Sequence, residues 1–504
     1  MIVTILGIIC ATLLLVYILV LRSYDYWKKR GVNGPKPWPF IGNLSSAFTQ
    51  ARNMAYDIQD LYEAHKSTEN FVGIYNCCTP QLLITDIDLI RRIMVADFKH
   101  FHDNEISKFL DRKSDMLFGY SPFVSTGDEW KKCRAEISPG FTINRVKAVL
   151  PVTNKVCSSM IEFIEEKSKI TTKDGIDGKD LCFRFTCEVV SNTVLGLDDQ
   201  TFTNKPSVIM DMSKRIFIQS PILIFQLLLM ALIPSLHKFK KMRFIPKQVE
   251  QFFIKIMDSS LNQRKDQIKQ GSNEVRHDFI NYLLQLQEKK NLTMQELAAH
   301  TMTYVTDGIE TLSGILSHCL LMLGRDEKRQ DVLRREILEK LEDTNDFDSI
   351  MGLPYLDACI HETLRLVPPV ANATRLCTES IDFENKNGKV LNVAVGTPVI
   401  LPIHAIMVDK QFYKDPTDFV PERFVDGGLK KCKEQGIYFG FGAGPRICLG
   451  MRFALAQMKA ALVHIIRNYN VRINPRTRKD LRFDPSYFLL RLDGGIWLDF
   501  DKIN

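Results

Sequence analysis

Hydrophobic residues recur at helical spacing through most of the chain between about residues 80 and 345. VCSSMIEFIEEKSK (156–169) and FRFTCEVVSNTVLGL (183–197) show this spacing clearly. Two shorter runs with the composition of strands, QLLITD (81–86) and KVLNVAV (389–395), lie on either side of the helical region. The pattern predicts a mainly α fold with a minor β-sheet.

An apolar run at the amino terminus differs from this pattern. Residues 2–21 include no charged side chain, and twenty residues is the length that a helix needs to cross the hydrocarbon of a bilayer. The basic side chains that follow, starting at Arg22 and Lys28, predict a single N-terminal span with the remaining chain in the cytosol. A cleaved signal peptide is the alternative, but the run is longer than the ~7–15 residues typical of one and lacks a small-residue cleavage pattern.

A second apolar run, residues 222–233, ends at Pro234. Its twelve residues are too few to cross a bilayer, so it is expected to form a buried or an interfacial helix. Between the first run and the body lies NGPKPWPFIGN (33–43), whose three prolines favour an extended bridge. The chain is therefore divided into an anchor (1–22), a basic and proline-rich linker (23–43) and one large domain (44–504).

Composition narrows the possible partners. The chain has 504 residues, with 66 basic and 59 acidic side chains, and the resulting net charge of +7 is too thinly spread to indicate a nucleic-acid partner. Its twelve cysteines show neither zinc-site spacing nor the framework of a small disulfide-rich protein. Mostly reduced cysteines fit a body that faces the cytosol.

Several charged residues have spacings that suggest specific pairing. In HETLRLVPP (361–369), Glu362 and Arg365 are three residues apart on a helix that must stop near Pro368, so they can pair. Arg423, in PERF, could complete a buried network, although a surface ion pair is the usual outcome for an isolated Glu-x-x-Arg.

Two further segments place polar groups on helices. WKKCR puts Trp130 and Arg134 four residues apart, so both can donate hydrogen bonds to one anionic ligand. A long helical run, residues 292–316, contains TDGIET, whose glycine and hydroxyls predict a polar kink with Glu310 and Thr311 facing inward. A capped break between two helices is the alternative interpretation.

The segment FGFGAGPRICLG (439–450) identifies the family that the chain resembles. It matches the cysteine-loop signature Phe-x-x-Gly-x-Arg-x-Cys-x-Gly of the haem-thiolate monooxygenases at Phe441, Gly444, Arg446, Cys448 and Gly450. The anchor, the proline bridge, Trp-x-x-x-Arg, the acid–alcohol helix, Glu-x-x-Arg and Pro-Glu-Arg-Phe precede it in that family's order. The chain therefore resembles a microsomal cytochrome P450, and most closely the insect members allied to the drug-metabolising group. The segment does not match the dinucleotide-binding fingerprint, because Ile447 stands where that fingerprint needs its third glycine.

The resemblance assigns roles to these residues. It implies haem b as the cofactor, with Cys448 as the axial ligand of its iron and Phe441 in the loop around it. Trp130, Arg134, Arg375 and Arg446 are expected to bind the haem propionates. Glu362, Arg365 and Arg423 are expected to form the structural network behind the cysteine loop. Thr311, with Glu310 behind it, is expected to deliver protons.

The resemblance also implies a reaction and its partners. The expected activity is insertion of one oxygen atom from O2 into a lipophilic small molecule, either a xenobiotic or insecticide or an endogenous hormone or lipid. The electrons are expected from NADPH through cytochrome P450 reductase, with cytochrome b5 as a second candidate donor. The expected location is the endoplasmic reticulum membrane. The alternative is a haem protein that binds or isomerises lipophiles without activating oxygen.

Some positions are expected to line the substrate pocket, and others depart from the family's pattern. The expected pocket residues are Phe118, Phe123, Phe217, Thr303, Asp307 and Phe488. Asp307 replaces a small residue, Leu312 replaces a hydroxyl, and Met407 stands where many relatives have histidine. The Asp307 carboxylate is expected either to reach the cavity or proton network, or to bond the kinked backbone or a basic residue from another helix. A basic face for docking the reductase is expected at Lys131, Lys132, Lys430, Lys431 and Lys433.

Overall fold

The computed structural model describes residues 1–170, 173–203, 205, 207–217, 220–270 and 279–503. Within them, the helices of eight or more residues are α1 (Ile2–Ser23), α2 (Met54–His65), α3 (Gly127–Ile137), α4 (Ile143–Ile170), α5 (Gly178–Val190), α6 (Val208–Phe217), α7 (Pro221–Leu232), α8 (Lys247–Lys269), α9 (Phe279–Lys290), α10 (Met294–Arg325), α11 (Glu327–Lys340), α12 (Pro354–Leu366) and α13 (Met451–Asn468). Shorter α-helical turns are Asp25–Lys28, Ser46–Thr49, Ile87–Arg91, Met116–Gly119, Phe347–Met351, Ile403–Met407 and Gly428–Glu434. The mainly α prediction is confirmed.

The strands are few and short. They are β1 (Phe71–Asn76), β2 (Thr79–Ile84), β3 (Ile176–Asp177), β4 (Ala373–Leu376), β5 (Ile381–Glu384), β6 (Val390–Val393), β7 (Pro398–Leu401), β8 (Tyr469–Ile473) and β9 (Trp497–Lys502). One sheet has the order β1-β2-β7-β4, a second has β3-β9-β8, and β5 pairs with β6. The antiparallel register of β4 and β7 sets Arg375 opposite Val399. Both strand-like runs noted in the sequence lie in these sheets.

The long helix α10 runs through the middle of the protein. Thr293 and Glu296 form a capping box at its start, and it packs against α5, α8, α12 and α13. The helix continues without a break through Asp307–Thr311, so the alternative of two helices separated by a capped break is wrong. No cap forms here, because the hydroxyls of Thr306 and Thr311 bond to carbonyls one turn earlier in the same helix.

The linker is docked onto the body at its amino-terminal end. Trp27 is buried against β1, and its indole Nε1 donates to the Ile74 carbonyl at 3.1 Å. Gly73 makes this possible, because a Cβ there would lie 2.3 Å from the Trp27 ring. Tyr75 reinforces the contact, since its hydroxyl accepts from the Trp27 N–H at 3.2 Å and donates to the Tyr24 carbonyl at 2.8 Å. The linker is therefore fixed to the first sheet before the prolines begin.

By length and apolar composition alone, two segments of the described chain qualify as candidate membrane spans, Ile2–Lys28 and Val208–Leu232. α1 makes almost no contact with the body and leaves nearly all of its apolar side chains exposed. α7 also exposes apolar side chains, including Ile222, Ile224 and Phe225, while Met230 is its one fully buried residue. The expectation of a buried helix at 222–233 is therefore wrong, and the interfacial alternative fits the exposure.

We predict that a chain lacking residues 2–22 still associates with membranes through α7. Replacing Ile222 and Phe225 with glutamate in that truncated protein should lower the fraction that sediments with liposomes by about tenfold, because burying one such side chain contributes ~1.5–3 kcal/mol. The control is Leu338→Glu on α11, where Leu338 is also about half exposed. Equal sedimentation of both variants would show that α7 does not contact the lipid.

Candidate active site

The cysteine loop is held by its glycines and its own backbone. Gly444 has φ +68° and lies so close to Met94 that a Cβ would be 1.9 Å from the Met94 carbonyl oxygen, so no other residue fits. The Cys448 N–H donates to the Phe441 carbonyl at 2.8 Å, which closes the loop around the thiol. α13 begins at Met451, three residues later, and directs its positive dipole end toward the sulfur.

Cys448 lies within the fold but keeps accessible surface, so a ligand can reach its thiol. Burial raises the pKa of Cys448 to about 11, although a hydrogen bond from the Gly450 backbone opposes the rise. The charge of Asp307 on α10 also raises this pKa, so Asp307 lies near the thiol. Burial raises the pKa of Asp307 to about 7, and its Oδ1 accepts from the Thr306 hydroxyl at 3.1 Å. The contact of Asp307 with a substrate cavity stays a prediction.

Three arginines cluster beside the cysteine loop. Arg134 Nη2 donates to the Ile447 carbonyl at 2.8 Å, and Arg375 Nη1 donates to Asn104 Oδ1 at 2.7 Å. Burial, together with the charges of Arg375 and Arg134, lowers the pKa of Arg446 to about 9. Among the described residues, Asp103 is the one carboxylate within 4 Å of the three, at 3.8 Å from Arg446 Nη2. The site therefore carries excess positive charge.

Two donors at this cluster have no protein partner among the described residues. Trp130 Nε1 and Arg375 Nε are both buried and unbonded. A buried donor without a partner costs free energy unless a ligand accepts from it. Arg446 differs, because its guanidinium donates to the carbonyls of His102 at 2.6 Å, Pro122 at 2.8 Å and Ser125 at 3.0 Å, and mainly orders these loops.

The predicted ion pair of Glu362 and Arg365 is completely buried. Arg365 Nε and Nη2 contact the two Glu362 oxygens at 2.7 and 2.8 Å, and Arg423 Nε lies 3.3 Å from Glu362 Oε1. The remaining N–H groups of Arg365 bond to the carbonyls of Met407, Pro416 and Asp418. The surface alternative is wrong for this pair, because both side chains are 0% exposed.

Met407 connects this network to the cysteine loop. Its carbonyl accepts from Arg365 at 2.7 Å, and its sulfur accepts from the Phe439 N–H at 3.4 Å, at the first residue of the loop. The thioether therefore accepts a hydrogen bond from the backbone at the start of the cysteine loop. Leu312, at another position noted in the sequence, is buried in the hydrophobic core.

Comparison with known proteins identifies the family. The cytochrome P450 family model matches residues 32–498. The chain belongs to the cytochrome P450 family. It is 45% identical to "Probable cytochrome P450 28d1" of Drosophila melanogaster, with 99% of each chain covered. It is 44% identical to "Probable cytochrome P450 28a5" of the same species, with 97% of each covered. "Cytochrome P450 6j1" of Blattella germanica is 30% identical, with 100% of this chain and 98% of the relative covered.

This P450 has residues that fit the haem of its family. The unbonded donors of Trp130 and Arg375, and the arginine cluster with its single carboxylate, match the charge of two propionates. Cys448 has accessible surface in the loop that Arg134 contacts. The family supports a haem monooxygenase in general and confirms the resemblance to insect members. The roles of the individual residues stay predictions.

Glu310 and Thr311 lie on α10, with the Glu310 side chain only 7% exposed. Two partners of Glu310 were not found from the sequence: Lys179, whose Nζ is 3.0 Å from Oε1, and Tyr487, whose hydroxyl donates to Oε1 at 3.1 Å. Asn104, the partner of Arg375, was also missed. These contacts join residues more than 130 positions apart, and no local pattern indicates them.

The residues expected in the substrate pocket have varied surroundings. Thr303 is buried on α10, with its hydroxyl bonded to the Ala299 carbonyl at 3.1 Å. Phe118 lies on the short helix that packs against α10, and its ring is 5.9 Å from that of Phe244. Phe217 ends α6 and is half-buried. The remaining two, Phe123 and Phe488, have exposed surface. Their contact with substrate stays a prediction.

We predict that Glu362→Ala destabilises the folded protein by about 3–5 kcal/mol, because Arg365 would stay buried without its counter-charge. The measurement is thermal unfolding together with haem content per chain. Asp501→Ala is the control, because the Arg472–Asp501 pair is about half exposed and should contribute less than about 1 kcal/mol. Similar stability of the two variants would contradict the role of the buried network.

Proposed function

We propose that this P450 is a haem-thiolate monooxygenase that inserts one oxygen atom from O2 into lipophilic small molecules. Electrons are proposed to come from NADPH through cytochrome P450 reductase. The observation that carries the proposal is the placement of Cys448. Its thiol has accessible surface and lies near Asp307 of α10, and three arginines with one nearby carboxylate lie beside its loop. When bound, haem supplies the iron at which O2 is reduced.

The residues around this thiol have distinct roles in this proposal. Cys448 Sγ would ligate the iron, and the Gly450 N–H would offset the negative charge on sulfur. Trp130, Arg134 and Arg375 would bind the propionates. Arg446 would hold the loops that carry His102 and Ser125, with at most one N–H left for a propionate.

Thr311 and Glu310 are proposed to hold and pass on the protons that the reaction consumes. The Thr311 hydroxyl donates to the Asp307 carbonyl, so its oxygen is oriented to accept a hydrogen bond. Glu310 precedes it on the same helix, and both residues line one small cavity. This acid–alcohol pair favours the monooxygenase over a haem protein that binds or isomerises lipophiles without oxygen activation, because such a protein has little need for ordered protons.

The proposed location is the endoplasmic reticulum membrane, with α1 as the anchor and the catalytic domain in the cytosol. The proposed docking face for the reductase, with cytochrome b5 as a second donor, includes Lys131, Lys132 and Lys430, which are 55–81% exposed. Each of these lysines lies near a carboxylate of its own chain, Asp128, Glu296 and Glu434 respectively.

The reaction class is tested by coupled consumption of NADPH and O2 in the presence of reductase. Ligands come from a spectral screen of steroids, terpenoids, fatty acids and insecticide-like molecules, which also addresses the substrate class. The expected result is an oxygenated product whose amount follows NADPH and O2 consumption. Isomerised product, or spectral binding without O2 consumption, would support the alternative function.

We predict that Thr311→Ala keeps ligand binding but diverts electrons to hydrogen peroxide, because the oriented hydroxyl is lost. The yield of product per NADPH should fall by about 10-fold or more, as expected for loss of a positioned proton donor. The control is Thr301→Ala on the same helix, where the buried hydroxyl bonds only within its own core cluster. Full coupling in Thr311→Ala would contradict the assigned role.

We predict that Trp130→Phe releases haem to an acceptor such as apomyoglobin about 10-fold faster or more. The substitution removes the Nε1 donor, which contributes ~1.5–3 kcal/mol toward a charged acceptor, and keeps a ring against Arg446 and Phe98. Trp38→Phe is the control, because Trp38 is 70% exposed in the linker. An unchanged release rate would show that Trp130 does not contact the cofactor.

A further inference from the structure

The carboxylate of Glu310 is held by two side chains that the reaction has not so far used. Lys179, the second residue of α5, lies 3.0 Å from Glu310 Oε1, and the hydroxyl of Tyr487 donates to the same oxygen at 3.1 Å. Lys179 also bonds to the Ser313 hydroxyl and to the Glu310 backbone carbonyl. Both side-chain contacts use Oε1, so the carboxylate is fixed by one oxygen, and Oε2 stays outside these contacts.

A small cavity adjoins this carboxylate. Its lining includes Lys179, Glu310, Thr311, His318, Tyr487 and Arg491, together with apolar side chains that form most of its wall. Arg491 is 37% exposed and Lys179 is 23% exposed, whereas Glu310 is 7% exposed, so the cavity runs from near the surface to the interior. Thr311 contributes to the same lining, so Glu310 and Thr311 border one space.

The surroundings keep the two partners of Glu310 in place. Arg491 lies 3.6 Å above the Tyr487 ring and pairs with Asp484 at 2.6 Å, which fixes the ring. Burial lowers the pKa of Lys179, and the charge of Glu310 opposes this shift. A carboxylate fixed by one oxygen can exchange protons through the other without losing its position.

We propose that this cavity is the route by which protons reach Thr311, and that Lys179 and Tyr487 are the positioning residues that hold Glu310 within it. The inference rests on the proposed monooxygenase function. In each productive turnover, O2, two electrons from NADPH and two protons convert one C–H bond to C–OH and release water. When Glu310 is misplaced, the same electrons and protons leave as hydrogen peroxide.

The test uses full-length, haem-loaded protein with reductase and 7-ethoxycoumarin as the probe. The variants are Lys179→Met and Tyr487→Phe, and Glu310→Gln serves as the reference. The chain contains a matched control set of the same composition. Lys66 and Tyr62 contact the buried carboxylate of Asp409 at 2.6 and 2.9 Å, so Lys66→Met and Tyr62→Phe remove the same contacts from a carboxylate outside the cavity lining.

Lys179→Met and Tyr487→Phe should raise the ratio of peroxide to product about tenfold, while the two controls leave it unchanged. Oxidation of the same probe supported by iodosobenzene, which brings its own oxygen atom and needs no proton delivery, should stay at the parent rate. A parent-like peroxide ratio in Lys179→Met and Tyr487→Phe would overturn the inference. An equal loss of iodosobenzene-supported oxidation in these two variants would also overturn the inference, because that result indicates a merely structural role.

A second measurement does not depend on turnover. In thermal unfolding of the haem-loaded protein, the loss of Tm in the double variant Lys179→Met/Glu310→Gln should be smaller than the sum of the two single losses, because each single variant leaves a buried group unpaired. Additive losses would overturn the positioning role. If Glu310→Gln itself stays fully coupled, the proposed function of Glu310 fails. If only Glu310→Gln uncouples, the inference about its partners fails and the proposed function stands.

Discussion

The rest of the site depends on one buried ion pair, that of Glu362 and Arg365. Its charges are shielded from water and satisfied by each other, by Arg423 and by backbone carbonyls between residues 407 and 418. Since an unpaired buried charge is costly, these segments must assemble together or not at all. Through Met407, whose sulfur accepts from Phe439, the pair fixes the first residue of the cysteine loop. The buried ion pair therefore helps to position the loop that carries the Cys448 thiol.

A second constraint acts on the opposite side of the loop, where the protein has gathered cations without matching carboxylates. The charges of Arg375 and Arg134 add to burial in lowering the pKa of Arg446, and Asp103 is the one acid within 4 Å of the three in the part of the chain described. Such an arrangement is unfavourable alone and becomes favourable with a dianionic ligand. The haem of the P450 family has this charge, so cofactor binding and stability of this face are expected to be linked.

The sequence predicted the features that are encoded by short spacings. The cysteine loop, the Glu362–Arg365 pair and the end of α12 before Pro368 each depend on residues within a few positions of one another. The alternative of a capped break in α10 was wrong. A threonine that caps a helix and a threonine whose hydroxyl bonds to the backbone within a helix look the same in the sequence. Lys179 with Glu310, Asn104 with Arg375 and Trp27 with Gly73 could not be predicted, because each contact depends on how distant elements pack.

The central claim is that Cys448 binds the haem iron as a thiolate, and the most direct test is the absorption spectrum of the reduced, carbon monoxide-bound protein. The parent chain should show the red-shifted Soret band of thiolate-ligated haem. In Cys448→His that band should be replaced by the spectrum of imidazole-ligated haem, with haem content retained, because imidazole binds iron without supplying the charge of a thiolate. A thiolate-type band that persists in Cys448→His would contradict the account.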